Sequence, residues 1–420
     1  MNNWLQTPLS ECLSKVIDYR GRTPKKLGME WSKSGYRALS ANNVKFSGID
    51  KLDSINYADE ELYKKWMKDE VCKGDLLLTS EAPSGQVMLW DSDEKIVLSQ
   101  RLYSLRVNSK FNPKFLKYYL QSPIGQKEIY RNNSGSTVAG ISAKTFSNIL
   151  VSHPADVDEQ ERIGHILYLI DKKIDCNNRI NAGLESMSKM LYDYWFVQFD
   201  FPDASGGPYK SSGGRMLYNA VLKREIPEHW RNSNILAIAE VLGGGTPTKK
   251  KLDFWGGNIP FFTPTDAGGS IFKFSTSDYI TAAGLKGSST KLFDKHTVFI
   301  TARGSVGKLV LAGVQMAMNQ SCYALRAKPN VGHAFLFFIA KELIHHLQIK
   351  SSGSVFDSIV SNDIELTQLA IPTVDLIQQF SAITKPIFEK ISNNTKENEQ
   401  LADLRDWLLP MLMNGQVTAS

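Results

Sequence analysis

The chain has 420 residues, of which 42% are hydrophobic and 22% charged, a length and composition that exclude wholesale disorder and a fibrous repeat. The formal net charge of +6 is compatible with a polyanionic partner but does not establish one. Four scattered cysteines without a Cys-x-x-Cys pair indicate no disulfide framework or zinc knuckle, and no signal-peptide or membrane-spanning pattern occurs, so we expect a cytoplasmic protein.

The first half of the chain predicts a domain of strands and loops followed by a long helix. Short apolar runs with β-branched and aromatic residues, such as 75–79, are broken by Gly, Pro and Asn turns, which is typical of strands. A helix is predicted inside this region, because Asn112 is a suitable N-cap and Pro113 suits the first helical position. From 156 to 199, apolar residues recur at spacings of three and four, which predicts the long helix.

The second half repeats this order of elements. A Gly- and Ser-rich stretch, 203–215, is predicted to be a flexible connector. It precedes strand-like runs such as 297–301, a helix beginning near Gly332, and a second long helix with N-cap candidates at Thr373 and Asp375. The sequence thus predicts an α+β fold with two domains of mixed strands and helices, 1–155 and 230–372, two long helices, 156–199 and 373–420, and a linker, 200–229.

The two halves are diverged copies of one unit. Matches stay in order while the offset falls from 226, between Trp4 and Trp230, to 217, between Asn177 and Asn394. Such collinear matches indicate a tandem duplication. The matched segments are 21–24 with 244–247, 77–79 with 299–301, 100–106 with 320–326, 134–136 with 352–354, and Pro154 and Gln160 with Pro372 and Gln378.

Four asparagines interrupt the apolar stripes of the long helices at matched positions, Asn177 with Asn394 and Asn181 with Asn398. Polar residues in a helix seam fix register and partner number at a cost in stability. The alternative is that they face solvent where the stripe changes phase. Since neither helix can bury its stripe alone, the sequence predicts that the two helices pair as an antiparallel coiled coil.

An antiparallel pair has a two-fold axis across it, so a domain before each helix would lie at opposite ends in inverted orientation. Dimeric DNA readers use this symmetry to address two half-sites. A helix of about 36 residues spans roughly 54 Å, more than the roughly 34–36 Å of one DNA turn. Helix length is therefore predicted to set the spacing of two half-sites.

Several loose motifs become specific through their order and spacing, namely Pro154 with 158–163, 171–174, 191–199, 226–230 and 404–415. Through them the chain resembles, over essentially its full length, the DNA specificity subunit of type I restriction-modification systems. The resemblance implies a non-catalytic protein whose two target recognition domains each read half of a split DNA site. In one departure, the second helix has Ile377-Gln378-Gln379 in place of a Glu-Gln pair, which bears on whether partners dock equally at both ends.

The resemblance also implies partners. Two modification subunits, which bind S-adenosylmethionine and methylate adenine, would dock on the chain, and restriction subunits with nuclease and ATP-driven translocase activity would join them. No cofactor is expected in this chain. S-adenosylmethionine, ATP and Mg²⁺ are expected on the partner subunits, and double-stranded DNA is the expected ligand.

Two motifs that resemble enzyme signatures are interpreted as structural. The segment 302–308 resembles a phosphate-binding P-loop, but Ala302 replaces its first glycine and Leu309 replaces the final Ser or Thr. The repeat predicts a turn between strands here. The segment 258–261 resembles the Asn-x-Pro-aromatic tetrapeptide of amino-methyltransferases, but no glycine-rich cofactor loop precedes it, which favours a strand.

Candidate DNA contacts are loop residues whose chemistry suits phosphates or base edges. Phosphate contacts are assigned to residues that repeat in type: Lys25, Lys26, Lys249, Lys250, and Ser134, Ser136, Ser352 and Ser354 in two matched loops. Base contacts are assigned where the copies differ: Arg37, Asn42 and Asn43 against Thr263, Thr265 and Asp266, and Glu81 against Arg303, with Lys308 as a further candidate. The alternatives are solvated loops for the first set and salt bridges for Arg37 and Arg303.

Two other classes of function compete with a DNA reader. A scaffold that binds only proteins would not show the steep salt dependence of a DNA reader. A self-contained methyltransferase would bind S-adenosylmethionine unaided.

Overall fold

The computed structural model describes residues 4–133, 140–350 and 358–417. The chain divides into two compact units, a first unit of Met1–Asp175 with Glu399–Ser420 and a second unit of Cys176–Asn398. The division falls within both long helices, so each unit combines a mixed domain with part of each helix. The predicted mixture of strands and helices in two repeated domains is confirmed.

The first unit holds eleven strands and three short helices among its described residues, before the long helix begins. They are β1 (Trp4–Pro8), β2 (Leu13–Asp18), β3 (Tyr36–Leu39), β4 (Val44–Lys45), β5 (Gly48–Ile49), β6 (Asn56–Ala58), α1 (Glu60–Trp66), β7 (Leu76–Thr79), β8 (Val87–Leu89), β9 (Val97–Leu98), β10 (Leu102–Val107), α2 (Pro113–Gln121), α3 (Pro123–Arg131), β11 (Leu150–Pro154) and the start of α4 (Val157–Tyr192).

Two sheets form the body of the first unit. One is antiparallel with strand order β2-β10-β7-β8, and the other has the order β6-β3-β9, in which β3 and β9 run parallel. Strand β7 is buried on both faces, because Leu76 and Leu78 pack with Phe115 of α2 while Leu77 packs with Trp66 of α1. This explains why 75–79 reads as a continuous apolar run and not as an alternating one.

The predicted start of α2 is confirmed in detail. The Asn112 side chain accepts hydrogen bonds from the backbone N–H groups of Lys114 and Phe115, at 2.9 and 3.2 Å, and Pro113 is the first helical residue. The counterpart helix in the second unit begins at His333, beside the predicted Gly332.

The second unit repeats this plan. Its elements are β12 (Met216–Asn219), β13 (Arg224–Pro227), β14 (Arg231–Ser233), β15 (Ala239–Gly243), β16 (Trp255–Phe262), β17 (Phe272–Lys273), β18 (Asp278–Ile280), α5 (Ala282–Lys286), β19 (Val298–Thr301), β20 (Leu309–Ala312), β21 (Ala317–Met318), β22 (Cys322–Ala327), α6 (His333–Lys350), α7 (Ser361–Leu366), β23 (Leu369–Ile371) and α8 (Val374–Met413). The main sheet has the order β15-β22-β19-β20-β17, and β18-β16-β21 forms the smaller one.

The stretch predicted as a flexible connector, 203–215, is tied by hydrogen bonds. The Asp203 carboxylate accepts from the backbone N–H groups of Ser205 and Gly207, and the Asp200 carboxylate accepts from Ser211. The remainder of the predicted linker contains the hairpin of β12 and β13. Composition alone misses these bonds because short polar side chains serve turns as readily as they serve flexible linkers.

The long helices meet in each unit through buried side chains. In the first unit Ile163 and Leu167 of α4 share a core with Leu409 and Leu412 of α8. In the second unit Asn177, Asn181 and Asn394 are buried in place of facing solvent. The Asn177 amide donates to Asn398 Oδ1 at 2.9 Å, and the Asn394 amide donates to Asn181 Oδ1 at 2.9 Å.

The two helices share one burial register at an offset of 217, since α4 begins at Val157 and α8 at Val374. Gln160, which is fully buried, therefore corresponds to the buried Ile377. The sequence match of Gln160 with Gln378 was wrong by one residue, because Gln378 is exposed. Two residues separate the strand from the long helix in both copies, so the burial pattern of the helices, and not the identity of the glutamines, fixes this register.

A buried polar cluster joins α2 to both long helices in the first unit. The Asp171 carboxylate accepts hydrogen bonds from Lys117 Nζ at 2.7 Å, Tyr118 Oη at 2.6 Å and Arg405 Nη1 at 3.0 Å. At the same places the second unit has Phe388, Phe337 and Phe338, whose rings pack together. Equivalent positions thus carry charged and hydrogen-bonding side chains in the first copy and phenylalanines in the second.

We expect the free energy of unfolding to fall in mild acid because of two histidines of the second unit. His333 stacks on His296 with ring centroids 4.1 Å apart. Burial lowers the pKa of His333 to about 4, and His296, Lys295 and Lys385 act in the same direction. Burial and Lys295 lower the pKa of His296, which Glu389 opposes.

An unfolded histidine binds a proton near pH 6.5, whereas folded His333 does so only near pH 4, so the free energy of unfolding should fall as the pH drops through this window. Urea unfolding at a series of pH values measures the slope. We expect His333→Phe to flatten it and the control His345→Phe, at an exposed position of α6, to leave it unchanged. An equal slope in wild type and His333→Phe would contradict the assignment.

Within the described ranges, no helix is long and apolar enough to cross a membrane. His345 and His346 lie on α6, the first exposed and the second partly exposed.

Candidate nucleic-acid interface

Four turns of the first unit lie side by side because backbone hydrogen bonds join them in series. Ala41 N donates to Gln100 O at 3.1 Å, Ser80 N donates to Arg101 O at 2.9 Å, and Ile141 N donates to Ser80 O at 2.8 Å. The turns are 40–43, 80–85, 100–101 and 140–141, and we call them the first loop cluster. They follow the ends of β3, β7 and β9, so loops from separate strands gather in one place.

The second unit builds the same cluster. Asn319 N donates to Phe262 O at 3.0 Å, as Ser99 N donates to Leu39 O at 2.8 Å in the first unit. Ala302 N donates to Ser321 O at 2.8 Å, and Ile359 N donates to Ala302 O at 3.0 Å. The second loop cluster therefore comprises 263–266, 302–308, 319–321 and 358–359. The isolated bridges Glu81 to Gly140 and Arg303 to Ser358 occupy matched places in the two clusters.

A buried threonine shapes the same turn in each cluster. Thr79 Oγ1 donates to Pro83 O at 2.6 Å and accepts from Gln86 N at 2.9 Å. Thr301 Oγ1 likewise donates to Ser305 O and accepts from Lys308 N at 2.9 Å. The segment that resembles a P-loop is thus the turn between β19 and β20, as the repeat predicts, and 258–261 lies within strand β16.

The lysine-bearing loops are exposed in both units. Lys25 and Lys26 lie in a short helical turn that Thr23 caps and that ends at Gly28, whose positive φ suits glycine. Lys26 Nζ donates to Gly21 O at 2.7 Å, which folds its ammonium group back onto its own loop. Lys249 and Lys250 are exposed at the matching place in the second unit. All four lysine side chains are exposed to solvent, as a contact with a DNA phosphate requires.

Asn42 and Asn43 differ sharply in their surroundings. Asn42 is exposed in the first loop cluster. Asn43 is 2% exposed; its Oδ1 accepts from Ser40 N at 3.1 Å and its Nδ2 donates to Asp50 O and Lys51 O at 3.3 Å. A base contact by Asn43 would require these bonds to break, so its amide serves the turn.

Arg37 lies away from the first loop cluster. It sits near the start of β3, whereas the cluster follows the end of that strand. Its guanidinium group makes a two-point pair with Glu94, in which Nε donates to Oε1 at 2.7 Å. Of the two interpretations given for Arg37, a base contact and a salt bridge, its geometry fits the salt bridge.

Thr263, Thr265 and Asp266 form a turn at the end of β16. Asp266 is buried, and its carboxylate accepts from Thr263 N at 2.8 Å and Ser277 N at 2.9 Å. Although burial acts to raise the pKa of Asp266, these hydrogen bonds lower it below the ordinary value. Thr265 is exposed and is the member of this turn that is open to a ligand.

Charged groups differ between the clusters. Glu81 is partly exposed and lies 3.6 Å from Arg101. At the matched position, the Arg303 side chain is exposed. Lys308 Nζ donates to Ala267 O at 3.3 Å, which holds this lysine against the neighbouring turn. Ser134, Ser136, Ser352 and Ser354 lie outside the described residues.

The sequence did not single out three polar side chains that lie in or beside the clusters. The Arg20 guanidinium lies 4.0 Å from the Tyr103 ring centroid and donates to Ile141 O at 3.4 Å. Gln100 and Gln320 are exposed at matched positions. The repeat contains the signal for the two glutamines, since Gln100 matches Gln320, but the assignment of base contacts to positions that differ between the copies leaves them out.

Two loop clusters are built alike, each on one copy of a duplicated domain, so the chain carries two equivalent candidate sites. A family model, the type I restriction modification DNA specificity domain, matches residues 11–186 and again 227–403. The chain belongs to this family. Its members are the specificity subunits of type I restriction systems; they are not catalytic, and catalysis lies on partner subunits.

Individual relatives agree with this assignment. The chain is 25% identical over 349 residues to the type I restriction enzyme MjaIX specificity subunit of Methanocaldococcus jannaschii, covering 82% of this chain and 78% of that protein. It is 24% identical over 407 residues to the HindI specificity subunit of Haemophilus influenzae, covering 83% and 88%. A crystal structure of the S subunit from M. genitalium shares the fold, with a TM-score of 0.62 at 14% identity over 98% of this chain and 96% of that one.

Proposed function

We propose that this chain is the DNA-recognising subunit of a type I restriction-modification complex and that it reads a bipartite site with one domain per half-site. The observation that carries the proposal is the construction of one loop cluster twice, on the same backbone hydrogen bonds, with different exposed side chains. Asn42 and Glu81 in the first cluster stand where Thr265 and Arg303 stand in the second. A backbone arrangement that is the same in both clusters, with exposed side chains that differ, suits two half-sites of different sequence.

The chemistry of the exposed residues supports a nucleic-acid ligand over a protein ligand. Lys25, Lys249 and Lys250 are exposed in matched loops of the two units and suit phosphate oxygens. The exposed Arg303 suits the two acceptors of a guanine, O6 and N7. Arg37 and Asn43 are not base readers in this proposal, because their side chains already bond to other groups of the protein.

We also propose that α4 and α8 pair as an antiparallel coiled coil whose length sets the gap between the half-sites. The supporting contacts within each unit run in opposite directions along the two helices: Asp171 with Arg405 in the first, and Asn177 with Asn398 and Asn181 with Asn394 in the second. Two modification subunits and the restriction subunits would dock on this chain in the cytoplasm. They would bring S-adenosylmethionine, ATP and Mg²⁺, and this chain would bind none of these.

A binding selection from randomised DNA duplexes tests the function, with the full chain purified together with its modification partners. We expect two short motifs separated by a fixed gap. Arg303→Ala should relax one position of one half-motif and cost about 1–3 kcal/mol of discrimination. Lys250→Ala should weaken all sequences alike and reduce the slope of log affinity against log salt by about 0.9.

The matched control is Lys64→Ala, an exposed lysine of α1 that is paired with Glu60 outside the loop clusters and should change neither the motif nor the salt slope. A single continuous motif would contradict the bipartite proposal. Binding that does not weaken with salt would favour the protein-only scaffold.

A further inference from the structure

Gln100 and Gln320 stand out among the exposed polar side chains of the loop clusters because they are the same in both copies. They occupy matched positions, three residues before Tyr103 and Tyr323. Both side chains are exposed, although the turns that carry them lie between buried strands. Their immediate neighbours differ, with Arg101 following one and Ser321 the other. An exposed residue that stays constant while its surroundings change has a role common to both clusters.

The backbone fixes Gln100 at the centre of its cluster. Its carbonyl oxygen accepts from Ala41 N, and the carbonyl of the next residue, Arg101, accepts from Ser80 N. Arg101 has a φ of 59°, so the chain turns sharply there and directs the glutamine out of the β9–β10 connection. Across the residues described by the structure, the Gln100 amide has no protein hydrogen-bond partner.

Gln320 occupies the same place, with its amide oriented by a neighbour. Thr246 Oγ1 donates to Gln320 Oε1. The loop that carries Thr246 is held close, since Gly245 N donates to Met318 O at 3.1 Å and a side chain at Gly245 would collide with Ser289. One lone pair of Oε1 and both N–H groups of Nε2 remain available to a ligand, so Thr246 is a positioning residue.

We propose that Gln100 and Gln320 each read an adenine, so that the two half-sites share this base at equivalent positions. A primary amide presents an acceptor beside a donor, which matches N6 and N7 of adenine in the major groove. Residues that differ between the clusters read the bases that differ between the half-sites, and residues that are the same read the base that is the same. The inference rests on the proposed function, in which the clusters contact DNA.

The same binding selection, repeated with glutamine variants, tests the proposal. Gln100→Ala relaxes the preference for adenine at one position of the first half-site, and Gln320→Ala does so at the equivalent position of the second. Loss of a bidentate pair worth about 1–3 kcal/mol corresponds to a loss of discrimination of about 5- to 150-fold. Gln100→Glu, which has only acceptors, shifts the preference from adenine toward cytosine.

Gln6→Ala, at an exposed glutamine of β1, is the matched control and leaves the motif unchanged. Urea unfolding confirms that each variant is as stable as wild type, as expected for exposed side chains. If the wild-type chain selects a bipartite motif that the glutamine variants leave intact, or if the two relaxed positions hold different bases, this inference is overturned while the proposed function stands. If the wild-type chain selects no bipartite motif, the proposed function itself fails.

Discussion

Replacing Asp171 with alanine is expected to lower the free energy of unfolding by about 3–5 kcal/mol, because it leaves a buried cation without its partner. Lys117 has a side chain that is 8% exposed and depends on Asp171 for its ion pair. Burial lowers the pKa of Lys117, and Asp171 opposes that shift. Equilibrium urea unfolding at neutral pH, followed by circular dichroism, measures the loss.

The effect of Asp171→Ala should shrink in acid. Burial acts to raise the pKa of Asp171, but Lys117, Tyr118 and Arg405 together lower it below the ordinary value. A carboxylate with a lowered folded pKa contributes stability that is present above its unfolded pKa, about 3.9, and is lost as the pH falls through the folded pKa. The difference between wild type and variant should therefore close below about pH 4.

A control replaces the whole cluster with the residues of the second unit. Arg405 corresponds to Ser188 at the helix offset of 217. The variant carrying Asp171→Phe, Lys117→Phe, Tyr118→Phe and Arg405→Ser should recover most of the stability, since buried ion pairs can be exchanged for well-packed apolar groups at little cost. A loss of less than about 1 kcal/mol in Asp171→Ala would mean that water reaches Lys117 and that the cluster is not closed.

Phe388→Ala, the corresponding change in the second unit, is expected to cost about 3–5 kcal/mol through loss of buried area and formation of a cavity. Phe388 is fully buried, and its ring lies 6.2 Å from Phe272 and Phe337 and 5.9 Å from Phe338, between ring centroids. Because the Phe388 ring lies 5.7 Å from the ring of His333, between centroids, the loss is measured at neutral pH, where His333 is uncharged. The same urea unfolding series measures it.

Phe388→Met serves as the control for Phe388→Ala, because a flexible side chain of similar volume fills much of the site and should recover most of the loss. If alanine and methionine were equally destabilising, a specific ring geometry would matter more than volume. If Phe388→Ala cost less than about 1 kcal/mol, the aromatic core would have collapsed around the deletion.

Local signals in the sequence were sufficient for the individual elements and for the duplication. The cap at Asn112, the strands 76–79 and 298–301, and the long helices follow from residue type and spacing, which act over a few neighbours. The apolar stripes also show that the long helices need partners. These features can be predicted from a single sequence because they depend on neighbouring residues and not on distant ones.

The roles of single polar residues could not be predicted in the same way. Asn43 and Asn42 are adjacent and identical in type, yet one is buried by bonds to Asp50 and Lys51 and the other is exposed. The guanidinium group of Arg37 is chemically suited to a guanine, but in the fold it bonds to Glu94. Whether such a side chain is exposed or bonded within the protein depends on which distant segment packs against it, and residue type and local spacing do not predict that packing.

The opposite chemistry at Asp171 and Phe388 limits how the two halves of this gene product could be rearranged. A domain from the second half placed ahead of α4 would bring two phenylalanines, in the positions of Phe337 and Phe338, against the Asp171 carboxylate and the Arg405 guanidinium. The reverse graft would set a lysine against an aromatic core. A recognition domain is therefore interchangeable only together with the helix positions that it was built to meet, and a chimera would need matched changes at both.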